Sequence, residues 1–386
     1  MEEIREVYLD NSATTKVAKE AVDAMVQAMT LAFGNPSSLH RKGMEAERIV
    51  SKSRETLAAF LGAKSREIYF TSGGTESNNL AIKGAAYARK RYGRHLITTA
   101  IEHPSVLDVF KSLEEEGFSV TYLGVDDSGH INLEELERAL KPDTILVSIM
   151  YVNNEVGSIQ PIEAAAEIIA KNKNTLFHVD AVQAFGKIPL IPHLKGIHLM
   201  SLSAHKIYGP KGVGALYVRD GIKIMPLFNG GGQEEGLRSG TENVPGIAGF
   251  SAASELAFKN MAAWQARMRE LKERLKDRIL EEIPDAVLNG SENGAPHILN
   301  ISFLGTRAEV LLHALESHGI YVSTGSACSS YKKGKSHVLA AMGKTAEEID
   351  SALRFSFSPF LSLEDIDYTV EILKKEVTEL RKFIRR

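Results

Sequence analysis

Short apolar segments alternate with helical segments between residues 67 and 218, and this alternation restricts the possible folds more than any other feature of the sequence. The segments typical of β-strands are EIYFTS, HLITTA, FSVTYL, TILVSIMYV, TLFHVD, GIHLMSLS and GALYV. They are apolar on both faces, and helical patterns at 76–92, 104–116, 133–140 and 162–171 separate them. Both properties predict a mainly parallel sheet covered by helices on both faces. Ligands of such sheets bind at the carboxyl ends of the strands, so polar residues that follow the strands are candidates for a site.

The pattern changes after Gly249, where a long helical segment begins. Its apolar positions form one stripe: Ala257, Met261, Trp264, Met268, Leu271 and Leu275. Such a helix can lead from the sheet domain into a smaller domain with strands near HILNISF, GIYVST and LRFSFSP. We therefore expect a large α/β domain at 15–256 and a small α+β domain formed by 1–14 and 257–386.

Composition and charge exclude several classes of protein. The net charge of −3 provides no basic surface for nucleic acid or for an anionic membrane. The N-terminus is charged where a signal peptide would be apolar, and no apolar run is long enough to span a bilayer. The single cysteine excludes an intrachain disulfide and a cysteine-only metal cluster within one chain. A cytoplasmic protein without nucleic-acid or membrane partners is expected.

The segment TSGGTESNN, residues 71–79, follows a strand and opens a helix. Its glycines permit a tight turn, and the N–H groups at the start of a helix favour a phosphate. Gly74 and Thr75 are therefore candidate phosphate ligands, although the same turn could simply cap the helix. The segment matches neither common nucleotide-binding pattern, so a small phosphate compound fits better than a nucleoside triphosphate.

Lys206 follows the strand GIHLMSLS and precedes the glycine-rich turn GPKGVG. A lysine is usually an exposed charge, but an amine held out of water becomes nucleophilic and can form a Schiff base. Asp180 ends the strand TLFHVD, where it could cap a helix or pair with the ring nitrogen of pyridoxal phosphate (PLP). Gln183 would then reach the phenolic oxygen of that ring.

Two further strand ends carry polar groups. His103, in EHPS, could stack on a cofactor ring and move protons, or it could be a helix cap. The segment YVNNEVG places Asn153, Asn154 and Glu155 where a substrate would lie.

Cys328 lies in STGSACSSYKKGKS, among small residues and just before a cluster of lysines. Free cysteines are usually buried, but an electropositive loop favours a reactive thiolate. Arg354, in the strand pattern LRFSFSP, is expected to be buried with a carboxylate partner, which an amino-acid substrate would supply.

Taken together, the chain resembles the PLP-dependent cysteine desulfurases of the NifS/IscS type, which are fold type I enzymes of the class V aminotransferase family. The resemblance depends on motifs that occur in the family's order: DNSATT, GNPSSLH, TSGGTESNN, EHPSV, NNEVG, HVDAVQ, SAHKIYGPKG, RSGTEN, TGSAC and RFS. Thr324 stands where serine is common in the family, and the KKGK run after the cysteine is more basic than the family pattern leads us to expect.

The resemblance assigns a role to each candidate. Lys206 would bind PLP covalently, His103 would stack on its ring, and Asp180 would bond the ring nitrogen. Gln183 and Asn154 would face the ring oxygen. The phosphate would be held by Gly74, Thr75, Ser203, His205 and, from the other subunit of a homodimer, Thr241. Arg354, with Asn154, would bind the substrate carboxylate, and Cys328 would accept the sulfur as a persulfide.

The predicted reaction converts L-cysteine to L-alanine, with sulfur passed from Cys328 to an iron–sulfur scaffold protein or another acceptor. No metal site is expected in the isolated protein, although Cys328 could ligate a cluster shared with a scaffold. L-Selenocysteine remains open as a substrate. The alternatives are an aminotransferase or selenocysteine lyase of the same fold, and a non-catalytic sulfur-relay or scaffold protein.

Overall fold

The computed structural model describes residues 5–324 and 335–384. The strands are β1 (Val7–Tyr8), β2 (Ile68–Thr71), β3 (His95–Thr99), β4 (Ser119–Leu123), β5 (Thr144–Met150), β6 (Leu176–Asp180), β7 (Leu199–Ser203), β8 (Gly214–Val218), β9 (Ala286–Asn289), β10 (Ile298–Phe303), β11 (Ile320–Tyr321), β12 (Ser323–Thr324) and β13 (Ala352–Ser356). The α-helices are α1 (Lys19–Thr30), α2 (Arg41–Phe60), α3 (Gly74–Arg89), α4 (Pro104–Glu115), α5 (Leu133–Ala139), α6 (Ile162–Ile169), α7 (Val244–Glu282), α8 (Ala308–Glu316), α9 (His337–Ala341), α10 (Ala346–Asp350) and α11 (Leu363–Ile384).

The large sheet has the strand order β2-β8-β7-β6-β5-β3-β4. Its central pairs are parallel, from β4 through β3, β5 and β6 to β7. β8 runs antiparallel to both β7 and β2. Strands β3, β5, β6, β7 and β8 are buried along their whole length, as expected for a sheet covered on both faces. The predicted mainly parallel α/β sheet is confirmed.

The helices that border the sheet begin close to where the sequence predicts them. α4 begins at Pro104, whose fixed backbone angle suits the first helical position, and His103 is its N-cap. α3 begins at Gly74, two residues before the predicted start, because Gly73, at φ 151°, takes a backbone conformation that other residues rarely adopt and turns the chain from the strand into the helix. None of the helices within 5–324 and 335–384 is long and apolar enough to cross a membrane.

A second core lies beside a smaller antiparallel sheet of order β12-β13-β10-β9. This core contains residues from both ends of the chain, because Val7 and Leu9 pack with apolar residues of α7, β10, β13 and α11. The predicted stripe of α7 connects the two cores: Ala257 belongs to the first, Leu271 to the second, and Trp264 packs against both. The division at residues 14/15 and 256/257 stays a prediction, which this packing supports.

Candidate active site

A cavity of about 330 Å³ lies at the carboxyl ends of β5, β6 and β7, beside the first turns of α3 and α4. Polar side chains from each of these elements converge there because the ends of parallel strands meet at one edge of the sheet. The predicted site residues that line the cavity are Gly74, Thr75, His103, Asn154, Asp180, Gln183, Ser203, His205 and Lys206.

Lys206 is held at the cavity wall by the N-terminal segment of the chain. It ends a short 3₁₀ turn, Ala204–Lys206, that directly follows β7. Its Nζ donates to the backbone oxygens of Ser12 at 2.6 Å and Ala13 at 2.7 Å. The next turn is fixed as well, since the N–H of Tyr208, in the left-handed region at φ 68°, donates to Thr15 Oγ1 at 2.8 Å. Backbone carbonyls of the N-terminal segment therefore help to place the amine.

Asp180 presents a buried carboxylate at the end of β6. Its Oδ1 accepts the N–H of Val182 at 3.0 Å, and its Oδ2 accepts from Asn78 Nδ2 at 2.7 Å. The neighbouring Gln183 donates through Nε2 to Ser12 O at 3.0 Å, and its Oε1 accepts from Lys187 Nζ at 3.3 Å. Burial and the nearby cations lower the pKa of Lys187 well below its ordinary value. Both predicted ring-facing side chains are thus fixed by hydrogen bonds.

An anion-binding corner is formed by the start of α3 and the end of β7. Ser203 Oγ is buried and has no hydrogen-bond partner among the described residues. A side chain on Gly74 would place its Cβ 2.7 Å from Val182 Cγ2, so only glycine keeps this approach open. His205 Nδ1 lies 3.2 Å from Thr14 Oγ1, and burial, together with nearby lysines, lowers the pKa of His205 to about 3. His205 is therefore neutral here. It can contribute a hydrogen bond to an anion but no positive charge.

His103 is tied to the first turn of α4. Its Nδ1 accepts the backbone N–H of Ser105 at 3.1 Å and lies 2.8 Å from Ser105 Oγ. The preceding Glu102 is fully buried, and burial raises its pKa to about 8. Glu102 Oε1 accepts from Met150 N at 2.7 Å and from Thr99 Oγ1 at 2.8 Å, which fixes the backbone beneath His103.

Comparison with known proteins decides the family. The class-V aminotransferase family model matches residues 7–369. The chain belongs to the class-V aminotransferase family. Cysteine desulfurase IscS of Dictyoglomus turgidum is 47% identical over 378 residues, which cover 98% of this chain and 96% of that protein. Within the family, the chain groups with the NifS- and IscS-type cysteine desulfurases.

Solved structures agree with this family. A NifS-like protein superposes with a TM-score of 0.92 at 41% identity, over 97% of this chain and 100% of its own. A structure described as SspA in complex with cysteine superposes with a TM-score of 0.81 at 37% identity, over 92% of this chain and 99% of its own. The chain therefore has the fold type I architecture of class-V aminotransferases.

Two of the predicted site residues that the structure describes do not line the cavity. Arg354 is buried behind it, where Nη1 donates to Asn154 O at 3.0 Å and Nη2 donates to Asp10 Oδ1 at 2.7 Å. Thr241 lies in a separate cavity of about 80 Å³, next to Arg238. Cys328 falls outside the described residues. Arg354 is buried against a carboxylate, as expected, but that carboxylate belongs to Asp10, and its contact with a substrate carboxylate stays a prediction.

Sequence reasoning missed two polar residues of this class-V site. Asn78 lies one helical turn after Thr75, and Ser105 lies two residues after His103. The helical spacing of three residues could have identified Asn78, because residues i and i+3 share a face.

Asn153 and Glu155, which were expected near a substrate, make structural hydrogen bonds instead. Asn153 bonds to Ile101 O and to two backbone N–H groups of its own turn. Glu155 Oε2 accepts from Ser336 Oγ at 2.5 Å.

Proposed function

We propose that this chain is a cysteine desulfurase that binds PLP through Lys206 and transfers the sulfur of L-cysteine to Cys328. One observation carries the proposal. A single cavity combines an amine held by backbone carbonyls at Lys206, a carboxylate at Asp180 and an anion-binding corner at Gly74 and Ser203. A pyridine ring with an aldehyde and a phosphate requires these three groups, and the cavity volume is within the range of small-ligand sites.

The corner formed by α3 and β7 fits the phosphate of PLP. Ser203 Oγ is a buried hydroxyl that lacks a partner within the described part of the chain, and such a group is costly unless a ligand completes its hydrogen bonds. The first N–H groups of α3, a helix of 16 residues, add donors and the positive end of the helix dipole. Thr75 and the neutral His205 line the same cavity and supply further hydrogen-bonding groups.

The opposite wall fits the ring. The Asp180 carboxylate would pair with the ring nitrogen and keep it protonated. Gln183 and Asn154 line the cavity where the phenolic oxygen would lie, and the His103 ring would stack on the cofactor. Asn78, through its bond to Asp180 Oδ2, would hold that carboxylate in place.

When bound, PLP supplies an electron sink for the electron pair at the substrate α-carbon. Lys206 Nζ would act as the general base that takes the α-proton of the substrate. The short 3₁₀ turn and the contacts to the N-terminal segment keep this amine within the site while it moves the proton. His103, which lines the same cavity, would supply a second proton-transfer group.

Sulfur transfer needs a nucleophile that reaches the substrate sulfur. We assign this role to Cys328. Its thiolate attacks the sulfur of L-cysteine, the new S–S bond forms as the Cβ–S bond breaks, and the carbon product collects a proton to become L-alanine. Arg354 would hold the substrate carboxylate during this step, with Asn154 beside it.

We also propose a homodimer in which Thr241 reaches the phosphate of the partner subunit. An apolar surface supports it: Val22, Val26, Met29, Leu31 and Phe33 are each more than 40% exposed. Exposed apolar patches of this kind mark protein interfaces. Delivery of sulfur to an iron–sulfur scaffold protein or another acceptor, and a cytoplasmic location, belong to the same proposal.

Covalent attachment of the cofactor tests the proposal directly. Borohydride reduction of the purified holoenzyme should fix PLP onto the tryptic peptide that contains Lys206, as measured by peptide mass. The Lys206→Ala variant should show no such adduct and should form no alanine from cysteine. Lys211→Ala is the matched control, because Lys211 is exposed five residues further on. An adduct on another lysine, or none in the wild type, contradicts the proposal.

A further inference from the structure

A continuous hydrogen-bond chain connects the carboxylate of Asp180 with the ring of His103. Asn78 Nδ2 lies 2.7 Å from Asp180 Oδ2 and 2.9 Å from Ser105 Oγ. Ser105 Oγ in turn lies 2.8 Å from His103 Nδ1. Three elements therefore contribute to one chain: β6, α3 and the first turn of α4.

The direction of each hydrogen bond follows from the chemistry of the groups. An ionised carboxylate only accepts, so the atom of Asn78 that faces Asp180 is the amide nitrogen. The same nitrogen has a second hydrogen for Ser105 Oγ. Because that hydroxyl accepts from Asn78, its own hydrogen is available for His103 Nδ1.

The backbone shows independently that His103 Nδ1 accepts a hydrogen bond. The N–H of Ser105 points to His103 Nδ1 at 3.1 Å, since His103 is the N-cap of α4. A backbone N–H can only donate, so Nδ1 must accept. Two donors from one residue thus converge on Nδ1, and the ring proton must be on Nε2.

We propose that Ser105 is a positioning residue that holds His103 as the neutral tautomer with its proton on Nε2. With Nδ1 engaged at the helix, Nε2 is the nitrogen that remains for the cavity, where its N–H acts as a hydrogen-bond donor. This inference rests on the proposed function, because it concerns how His103 serves the PLP site. Asn78 extends the arrangement to Asp180 and so couples the two groups that would both contact the cofactor ring.

Burial of His103 favours the same neutral form. Burial lowers the pKa of His103, and the nearby Lys206 and His337 lower it further. Asp180 and Asp108 oppose this shift. Protonation of Nδ1 would also break the N-cap bond to the start of α4, which adds to the cost of the imidazolium form.

The test measures the ring nitrogens of His103 in the holoenzyme labelled with ¹⁵N in the imidazole ring. The chain contains 12 histidines, so the His103 signals are assigned by their absence from His103→Gln. In the wild type we expect an unprotonated Nδ1 and a protonated Nε2 at neutral pH. In Ser105→Ala the midpoint of ring protonation should rise by about half a unit to one unit, the shift that loss of one hydrogen bond to the neutral ring gives.

The acid limb of the kcat/KM profile for cysteine should move in the same direction in Ser105→Ala, and Ser105→Thr should restore both readings. Ser112→Ala is the matched control on the same helix, because Ser112 Oγ donates only to Val109 O. A protonated Nδ1 in the wild type, or unchanged midpoints in Ser105→Ala, overturns the inference. The ¹⁵N measurement needs no turnover, so failure of the proposed reaction is seen separately as absence of alanine in the wild type.

Discussion

Arg354 Nη2 donates to Asp10 Oδ1 at 2.7 Å, and this ion pair joins residues 344 positions apart in the sequence. Asp10 belongs to the N-terminal segment that also supports Lys206, and Arg354 belongs to β13 of the smaller sheet. The guanidinium also donates to Asn154 O at the cavity wall, while its Nε has no partner in the described ranges. The proposed substrate clamp is therefore fixed on two sides, and at least one of its five N–H donors remains for a carboxylate.

Replacement of this guanidinium should weaken substrate binding. Arg354→Lys keeps the charge but cannot make the planar set of bonds to Asp10, Asn154 and a substrate carboxylate. Loss of one charge-assisted hydrogen bond, about 1.5–3 kcal/mol, should raise KM for cysteine by about ten- to a hundredfold, with a smaller change in kcat. Steady-state kinetics measure this. Arg274→Lys is the control, because Arg274 forms a similar pair with Asp367 on the surface. An unchanged KM in Arg354→Lys contradicts the role of substrate clamp.

The buried Glu102 should make stability depend on pH. Its folded pKa of about 8 lies above the ordinary value of 4.5, so the folded state binds this proton more tightly than the unfolded chain does. The stabilisation is complete below about pH 4.5 and is lost as pH rises towards 8, by up to about 1.4 kcal/mol per pH unit. Urea unfolding between pH 5 and 8 should show this slope in the wild type.

Glu102→Gln should flatten that slope. The amide oxygen can still accept from Thr99 and Met150, but the side chain cannot ionise. The exposed Glu134→Gln is the control and should unfold like the wild type at each pH. If Glu102→Gln and the wild type lose stability equally between pH 5 and 8, the raised pKa of Glu102 is wrong.

Ser336 should affect sulfur transfer without affecting the cofactor. Its Oγ donates to the buried Glu155 and accepts from Leu339 N as the N-cap of α9, close after the segment that contains Cys328. Ser336→Ala removes both bonds, which are worth about 1–2 kcal/mol, so persulfide formation should slow by about five- to thirtyfold while PLP absorbance is retained. Rapid-mixing experiments measure this rate. Ser362→Ala, which removes the cap of α11, should leave it unchanged.

The apolar surface of α1 should be the dimer interface. Val26→Glu places a charge in its centre and should produce a monomer in sedimentation equilibrium, because an unpaired charge is costly in an interface. Val310 on α8 is 47% exposed, as Val26 is, so Val310→Glu is a matched control that should remain dimeric. A dimeric Val26→Glu would place the interface elsewhere.

The sequence predicts the sheet well because β3, β5, β6 and β7 are apolar on both faces, a pattern that depends on local residues alone. It does not predict that β8 inserts between β2 and β7, since the pairing of strands depends on contacts distant in sequence. The cavity residues at strand ends are predicted for the same local reason.

Other features of the site depend on distant partners. Asp10 could not be assigned to Arg354, because the two lie at opposite ends of the chain. From the sequence, Lys187 is expected to be an exposed charge, yet it is buried and donates to Gln183. The contacts of Asn78 with both Asp180 and Ser105 arise only when α3, α4 and β6 pack together.

The most direct test of the proposed reaction is a single turnover of the holoenzyme with L-cysteine, with alanine and persulfide measured together by mass spectrometry. The proposed mechanism predicts one alanine for each persulfide, with the persulfide on Cys328. It also predicts that Cys328→Ser retains PLP but forms neither product at a comparable rate. Alanine formed at the wild-type rate by Cys328→Ser, with no persulfide on the protein, would contradict the central claim.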